Sequence, residues 1–269
     1  MSKTSSIALI VGLAVLGAAS AAGAADKPSF VADGTLAVCT DPTFPPMEFM
    51  AAAGDKEPSG FDIDLSRALA AAWGVELQIA TMDFSGLLPS LGAGRCDLVA
   101  SGILLTPERQ KSFDAAPYFA TEGILIGRAG TPAVDLKDLS GKTIAVQTGT
   151  SYVQQMEAVN AKLKELGLEP AIVQLYPKAT DVIQQVELGR VFGGTSQDTE
   201  LAYREASAPG KYVRIFGFKG ADIFAVYFRK DEADGAAVAA TIGTLGADGT
   251  LGKIAGAWKL PASQLEAGK

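Results

Sequence analysis

Thr35 to Thr40 reads "TLAVCT" and Thr143 to Thr148 reads "TIAVQT". Each is a short apolar, β-branched run leading into a polar loop, which is the pattern of a buried strand. Each also opens the same succession of elements. After the first comes a helical pattern in "DLSRALAAAW", where Leu65, Leu69 and Trp73 recur at helical spacing, then strand "VELQIA", helix "SGLLPSLGAG" and strand "CDLVASG". After the second come helix "SYVQQMEAVNAKLKEL", strand "AIVQLY", helix "ATDVIQQVELG" and a strand near "VFGGTS". Alternation of this kind predicts an α/β fold with mostly parallel sheets flanked by helices. Its repetition predicts two similar lobes.

The connecting stretch "PYFATEGILIGRAG" and the tail, a strand "DIFAVYFRK" followed by two helices parted at "ADGT", fall outside the repeat. Lobe 1 is expected to comprise residues 25–120 plus 226–269, and lobe 2 residues 121–225. Ligands of open α/β sheets sit beyond the carboxyl ends of the strands, so two such lobes face to face would enclose a cleft.

Residues 1–24 read as a secretory signal peptide: one Lys in "MSKTSS", the apolar run "IALIVGLAVLGAA", then small residues in "AAGAAD". The run is too short and too rich in Ala and Gly for a comfortable membrane span. The expected mature chain begins near Ala25 and works in the periplasm. A net charge of −7 with no basic block argues against nucleic acid or anionic membrane as partners. The chain has no His, which excludes histidine-based chemistry and makes zinc unlikely; no cofactor motif is present. Its two cysteines are even in number and could pair, yet Cys39 ends one strand while Cys96 opens another. In a parallel sheet that spacing favours two buried thiols.

In "SGILLTPERQ", Ser101 to Gln110, Thr106 reads as a helix N-cap and Pro107 as the first helical residue. Arg109 then lies in the first turn, where a cation opposes the helix dipole. The misfit is explained if an anion visits, because a guanidinium beside free N–H groups makes a strong carboxylate site. "TGTSYVQQM" offers a second helix start with Gly149, Thr150 and Ser151, open to N-capping or to ligand contact alike. "DPTFPPMEF" and "TMDFSGLLPSL" put Phe44 and Phe84 in loops where a cleft would find aromatic walls. Asp41 could pair with a ligand ammonium or cap its own turn.

Together "TDPTFPPMEF", "GFDIDLSRALA", "SGILLTPERQKSFDAAPY" and "GTLGADGTLGKIAGAW" closely resemble the periplasmic solute-binding proteins of ABC importers, in the family serving polar amino acids, family 3. The resemblance covers nearly the whole mature chain. It implies two lobes joined by two crossover strands, closing on one small solute, an amino acid or similar carboxylate. The implied partners are membrane permease subunits; the protein is expected to be a monomer, without cofactor and not an enzyme. It places Arg109 on the ligand α-carboxylate, Phe44 and Phe84 on either side of the ligand, Ser101 and Gly102 at its ammonium, and Ser151 at the second-lobe carboxylate contact.

In the signature Gly60 to Leu69, Asp62 is expected to cap the helix while Leu65 and Leu69 pack it, so it is not offered as a binding site. Leu104 stands where the family has Ser or Thr. Gln197 falls, without gaps, where the ammonium-binding Asp belongs, with Asp198 one place later, and Phe192 replaces the usual Asp after "GRV". Either a one-residue bulge brings Asp198 into the site or the ligand lacks an ordinary α-ammonium; the cost of burying an ammonium without a carboxylate favours Asp198. The rival readings are an enzyme resembling cyclohexadienyl dehydratases and a ligand-sensing module for a receptor.

Overall fold

The computed structural model describes residues 27–266, so the expected signal peptide lies outside the described residues. The first lobe is threaded in the order β1 (Thr35–Thr40), short strands β2 (Thr43–Phe44) and β3 (Glu48–Phe49), α1 (Phe61–Trp73), β4 (Glu76–Thr81), α2 (Leu87–Gly92), β5 (Leu98–Val99), α3 (Pro107–Gln110) and β6 (Phe113–Thr121). The second lobe follows as β7 (Gly123–Arg128), β8 (Thr143–Gln147), α4 (Tyr152–Glu165), β9 (Ile172–Tyr176), α5 (Ala179–Glu187), β10 (Gly193–Gln197), α6 (Asp198–Ser207) and β11 (Tyr212–Gly217). The chain then returns to the first lobe as β12 (Asp222–Arg229), α7 (Glu232–Ala247) and α8 (Thr250–Ala257).

The two sheets have matching orders, β4-β1-β5-β12-β6 and β9-β8-β10-β7-β11. In each, the strand that opens the repeat, β1 or β8, is flanked by two parallel neighbours. The other half of each sheet is antiparallel, because the strands that cross between lobes run back against the repeat. The sheets are therefore mixed. The second crossing falls at 218–221, ahead of the expected boundary at 226, because β12 is paired to β6 from Asp222 onward.

Each lobe has its own core. In the first, α1 presents Phe61, Leu65, Leu69 and Trp73 to the sheet, all fully buried and each contributing about 1.5–3 kcal/mol by leaving water. The Trp73 indole N–H is satisfied by Thr241 Oγ1 of α7 at 3.0 Å. In the second, α4 lays Tyr152, Met156, Val159 and Leu163 against Leu125, Ile144 and Val146. Among the described residues no helix is long and apolar enough to cross a membrane.

Cys39 and Cys96 form a disulfide, with Cα atoms 5.8 Å apart, which corrects the expectation of two free thiols. Strand β5 is only two residues long, and Cys96 lies ahead of it in the turn rising from α2. The chain there runs over the helix-covered face of the sheet, where Cys39 also packs beside Leu87 and Leu91. Height along a strand was the wrong coordinate for a residue outside the strand.

Candidate functional site

The carboxyl ends of β1, β5, β8 and β10 converge on a cavity between the lobes, with about 500 Å³ of free space including its opening to solvent. The lobes are closed over it. Gln147 Nε2 of the second lobe donates to Asp41 Oδ2 of the first at 2.7 Å, and the Ala179 N–H at the start of α5 donates to Thr43 Oγ1 at 3.2 Å. Gly149 sits against Ser85 so closely that a Cβ would lie 2.9 Å from the Ser85 Cα. With φ at +83° as well, only glycine fits there.

Arg109 is placed by a short, strongly punctuated element. Thr106 accepts the Arg109 N–H on its hydroxyl and Pro107 starts the helix, as the "TPER" pattern predicts. The guanidinium donates to the Leu104 carbonyl at 2.8 Å and, across the cleft, to the Gly149 carbonyl at 3.2 Å. Its carbon lies 5.8 Å from the centre of the Phe84 ring. Burial lowers its pKa from the free-guanidinium value, partly offset by the neighbouring Tyr227. Among the described residues no carboxylate pairs with it. A partly buried cation on a cavity wall, held by neutral carbonyls, is prepared for an anion that is not part of the chain.

Phe44 and Phe84 both line the cavity. Phe44 packs on Gly102, where a Cβ would come within 2.7 Å of the ring, and meets Phe224 edge-on at 6.1 Å. Thr150 and Ser151 line the second-lobe side. Ser151 is the N-cap of α4 but makes no side-chain cap bond, while the Thr150 hydroxyl donates to the Gln147 carbonyl at 2.7 Å. Ser101 and Gly102 line the first-lobe side, yet the Ser101 hydroxyl and the Gly102 N–H are both engaged internally.

Asp41 is buried and its pKa is raised to about 6 by desolvation, against the lowering effect of hydrogen bonds from Gln147 and Thr43. Glu48, unremarked in the sequence reading although it lies in the quoted loop, also lines the cavity; burial and the charges of Asp62 and Asp41 push its pKa well above the ordinary range. Glu200 of α6 lines the opposite side but is already compensated by Arg204 at 2.6 Å and by the Ser196 hydroxyl. Gln147, the last residue of β8, was legible only as a polar residue ending a buried strand.

Two expectations are corrected. Asp198 does not reach the cavity: Oδ1 accepts from the Thr121 hydroxyl at 2.6 Å and the Glu122 N–H at 3.1 Å, and Oδ2 accepts from Gln264, so it fastens the first crossing between lobes. No bulge redirects it, because β10 pairs with β7 in unbroken register from Gly194 to Gln197. Gln197 keeps the cavity position, with its Oε1 3.0 Å from the Thr121 Oγ1 whose proton goes to Asp198. Asp62, expected to cap α1, does not; Gly60 is the N-cap, and Asp62 turns inward to accept from the Gly102 N–H and the Tyr118 hydroxyl, each at 2.6 Å.

Two lobes closed on a cavity, with an unpaired cation on one wall and aromatic rings beside it, define a binding protein for a small solute. The chain belongs to the bacterial extracellular solute-binding proteins, family 3, whose model matches residues 36–261. It is 30% identical over 192 residues to the arginine-binding extracellular protein ArtP of Bacillus subtilis, covering 71% of each chain. The amino acid ABC transporter substrate-binding protein AbpA from Streptococcus pneumoniae, solved bound to L-arginine, superposes with a TM-score of 0.73 at 30% identity, over 86% of this chain and 97% of that one. An ancestral amino acid-binding protein described as a precursor of cyclohexadienyl dehydratase superposes with a TM-score of 0.72 at 27% identity, over 84% and 95%.

Proposed function

We propose that the cavity binds one amino acid, its carboxylate on the Arg109 guanidinium with Thr150 and Ser151 closing from the second lobe, its body between Phe44 and Phe84, and its cationic group toward Asp41. The observation that carries this reading is the Arg109 side chain, facing the cavity with no carboxylate partner among the described residues. Similarity to arginine-binding relatives supports a ligand with a basic side chain. Gln197 at the expected ammonium site supplies no charge, which shifts cation recognition to the Asp41 side.

The closed form would be the species handed to the permease subunits of an ABC importer, after residues 1–24 direct the chain to the periplasm. A ligand drives closure only through contacts that the open form lacks, and the hydrogen bonds from Gln147 to Asp41 and from Arg109 to Gly149 join the lobes in the closed form. The protein acts as a monomer and by binding, not turnover. Purified protein screened against the twenty amino acids tests this: ligand at a hundred times its Kd adds about 2.7 kcal/mol of stability, a shift of degrees in melting temperature. Stabilisation by a basic amino acid is expected. Stabilisation only by ligands lacking a carboxylate, or consumption of a cyclohexadienyl acid, would overturn the reading.

A further inference from the structure

Behind Ser101 and Gly102 lie two buried acids, Glu48 and Asp62, that solute binding as described above does not use, linked through Ser101 to Asp41, the acid that faces the ligand's cation. The Asp41 N–H donates to Ser101 Oγ at 2.9 Å, and the Ser101 hydroxyl donates to Glu48 Oε1 at 3.1 Å. Glu48 Oε2 is buried with no hydrogen-bond partner among the described residues. Asp62 is held beside it: its N–H donates to the Met47 carbonyl at 2.9 Å, and its Oδ2 accepts from Gly102, a residue on which a Cβ would stand 3.7 Å from Glu48 Oε1. Both Asp62 oxygens already accept, from the Tyr118 hydroxyl and the Gly102 N–H. Glu48 and Asp62 are 1% and 0% exposed.

Two carboxyl groups meeting through acceptor oxygens repel unless a proton lies between them. The groups facing Glu48 and Asp62 supply none of the missing positive charge. From β6 comes neutral Tyr118; Asp83 adds negative charge near Asp41, and only Lys178 acts on it with the opposite sign. Glu200 is committed to Arg204, and Arg109 donates to carbonyls. Among the described residues no Lys or Arg forms an ion pair with Asp41, Glu48 or Asp62.

We propose that the Glu48–Asp62 pair holds one exchangeable proton in the ligand-free protein, that Asp62 is the positioning residue for Glu48 and for the Gly102 backbone, and that the ligand's cationic group displaces this proton to solvent. Binding and proton release are then a single linked event, and the cavity wall accepts a cation only where it can surrender a proton. The charge balance is closed: one ligand cation enters, one carboxyl proton leaves for the buffer, and the buried wall keeps its net charge. This rests on the amino-acid reading of the cavity. Desolvation raises the affinity of all three acids for protons, in keeping with it.

Two measurements on the full chain decide it. Infrared difference spectra of the ligand-free protein at neutral pH should show the carbonyl stretch of a neutral carboxylic acid, lost in Glu48→Gln; Asp62→Asn serves as the second variant should the first not fold. Titration calorimetry of wild-type protein with L-arginine, in buffers of different ionisation enthalpy, should report about one proton released, with the apparent Kd falling about tenfold per pH unit as pH rises through the range where the pair titrates. Absence of the neutral-acid band, or heats of binding that do not depend on the buffer, would overturn the proposal. If L-arginine gives no heat at all, the ligand reading fails, and the infrared band alone decides the proton.

Discussion

Replacing Arg109 by alanine separates a binding residue from a structural one. The guanidinium donates to the carbonyls of Leu104 and Gly149, and among the described residues it meets no carboxylate. Its removal breaks two charge-assisted hydrogen bonds but also relieves the desolvation of a buried cation, and because these oppose each other the unfolding free energy should change by about 1 kcal/mol or less. In the complex the same change leaves a ligand carboxylate in the closed cavity without its fork of donors. A charge-assisted hydrogen bond contributes about 1.5–3 kcal/mol. Two such bonds, discounted for the partial exposure of the site, come to roughly 2–4 kcal/mol, or a 30- to 700-fold loss of affinity. Arg109→Lys keeps the charge but not the fork and should fall between. Calorimetric titration with the tightest amino acid, run beside urea unfolding of the ligand-free variant, reads both quantities. An affinity within threefold of wild type, or a loss of affinity matched by an equal loss of stability, would refute the reasoning.

Three further outcomes follow from other parts of the molecule. The Cys39–Cys96 bridge closes a loop of 57 residues of separation, and the chain-entropy relation gives about 4 kcal/mol for it; the double alanine variant should lose most of that in urea unfolding, and a loss below about 1 kcal/mol would contradict the assignment. Because the folded-state pKa of Asp41 is raised from 3.8 to about 6, the folded protein binds protons more tightly than the unfolded chain. Asp41 alone should therefore take about 3 kcal/mol from the stability of the ligand-free protein as pH rises from 4 to 6, in addition to the loss from Asp62 and Glu48, and Asp41→Asn should remove that share of the slope in pH-dependent unfolding. Phe49 of the first lobe meets Tyr203 of the second at 5.4 Å between ring centres, a contact of the closed form; Tyr203→Ala should weaken ligand binding by about 1 kcal/mol through faster dissociation, seen in stopped-flow release.

What the sequence disclosed was periodic and local. The echo of "TLAVCT" in "TIAVQT" identified two strands that hold equivalent places in two sheets of the same order, because a strand buried on both faces has little freedom in composition. Arg109 stood out because its charge contradicted the helix start on which it sat. What stayed hidden depended on distance through space. The disulfide is set by a turn that leaves the sheet, Asp62 by a hydrogen bond to a residue forty positions away, and the fate of Asp198 by the register of β10, which a sequence displays only as a choice between neighbours. Glu48 was in plain view within "DPTFPPMEF" but gave no signal, since nothing local distinguishes a buried glutamate in a loop from a solvated one.

The account turns on Arg109 as the receptor of the ligand's carboxylate. A crystal structure of the protein with its tightest-binding amino acid should show both carboxylate oxygens within hydrogen-bonding distance of the guanidinium, between the rings of Phe44 and Phe84. A bound ligand whose carboxylate lies elsewhere, with Arg109 still donating only to Leu104 and Gly149, would contradict it.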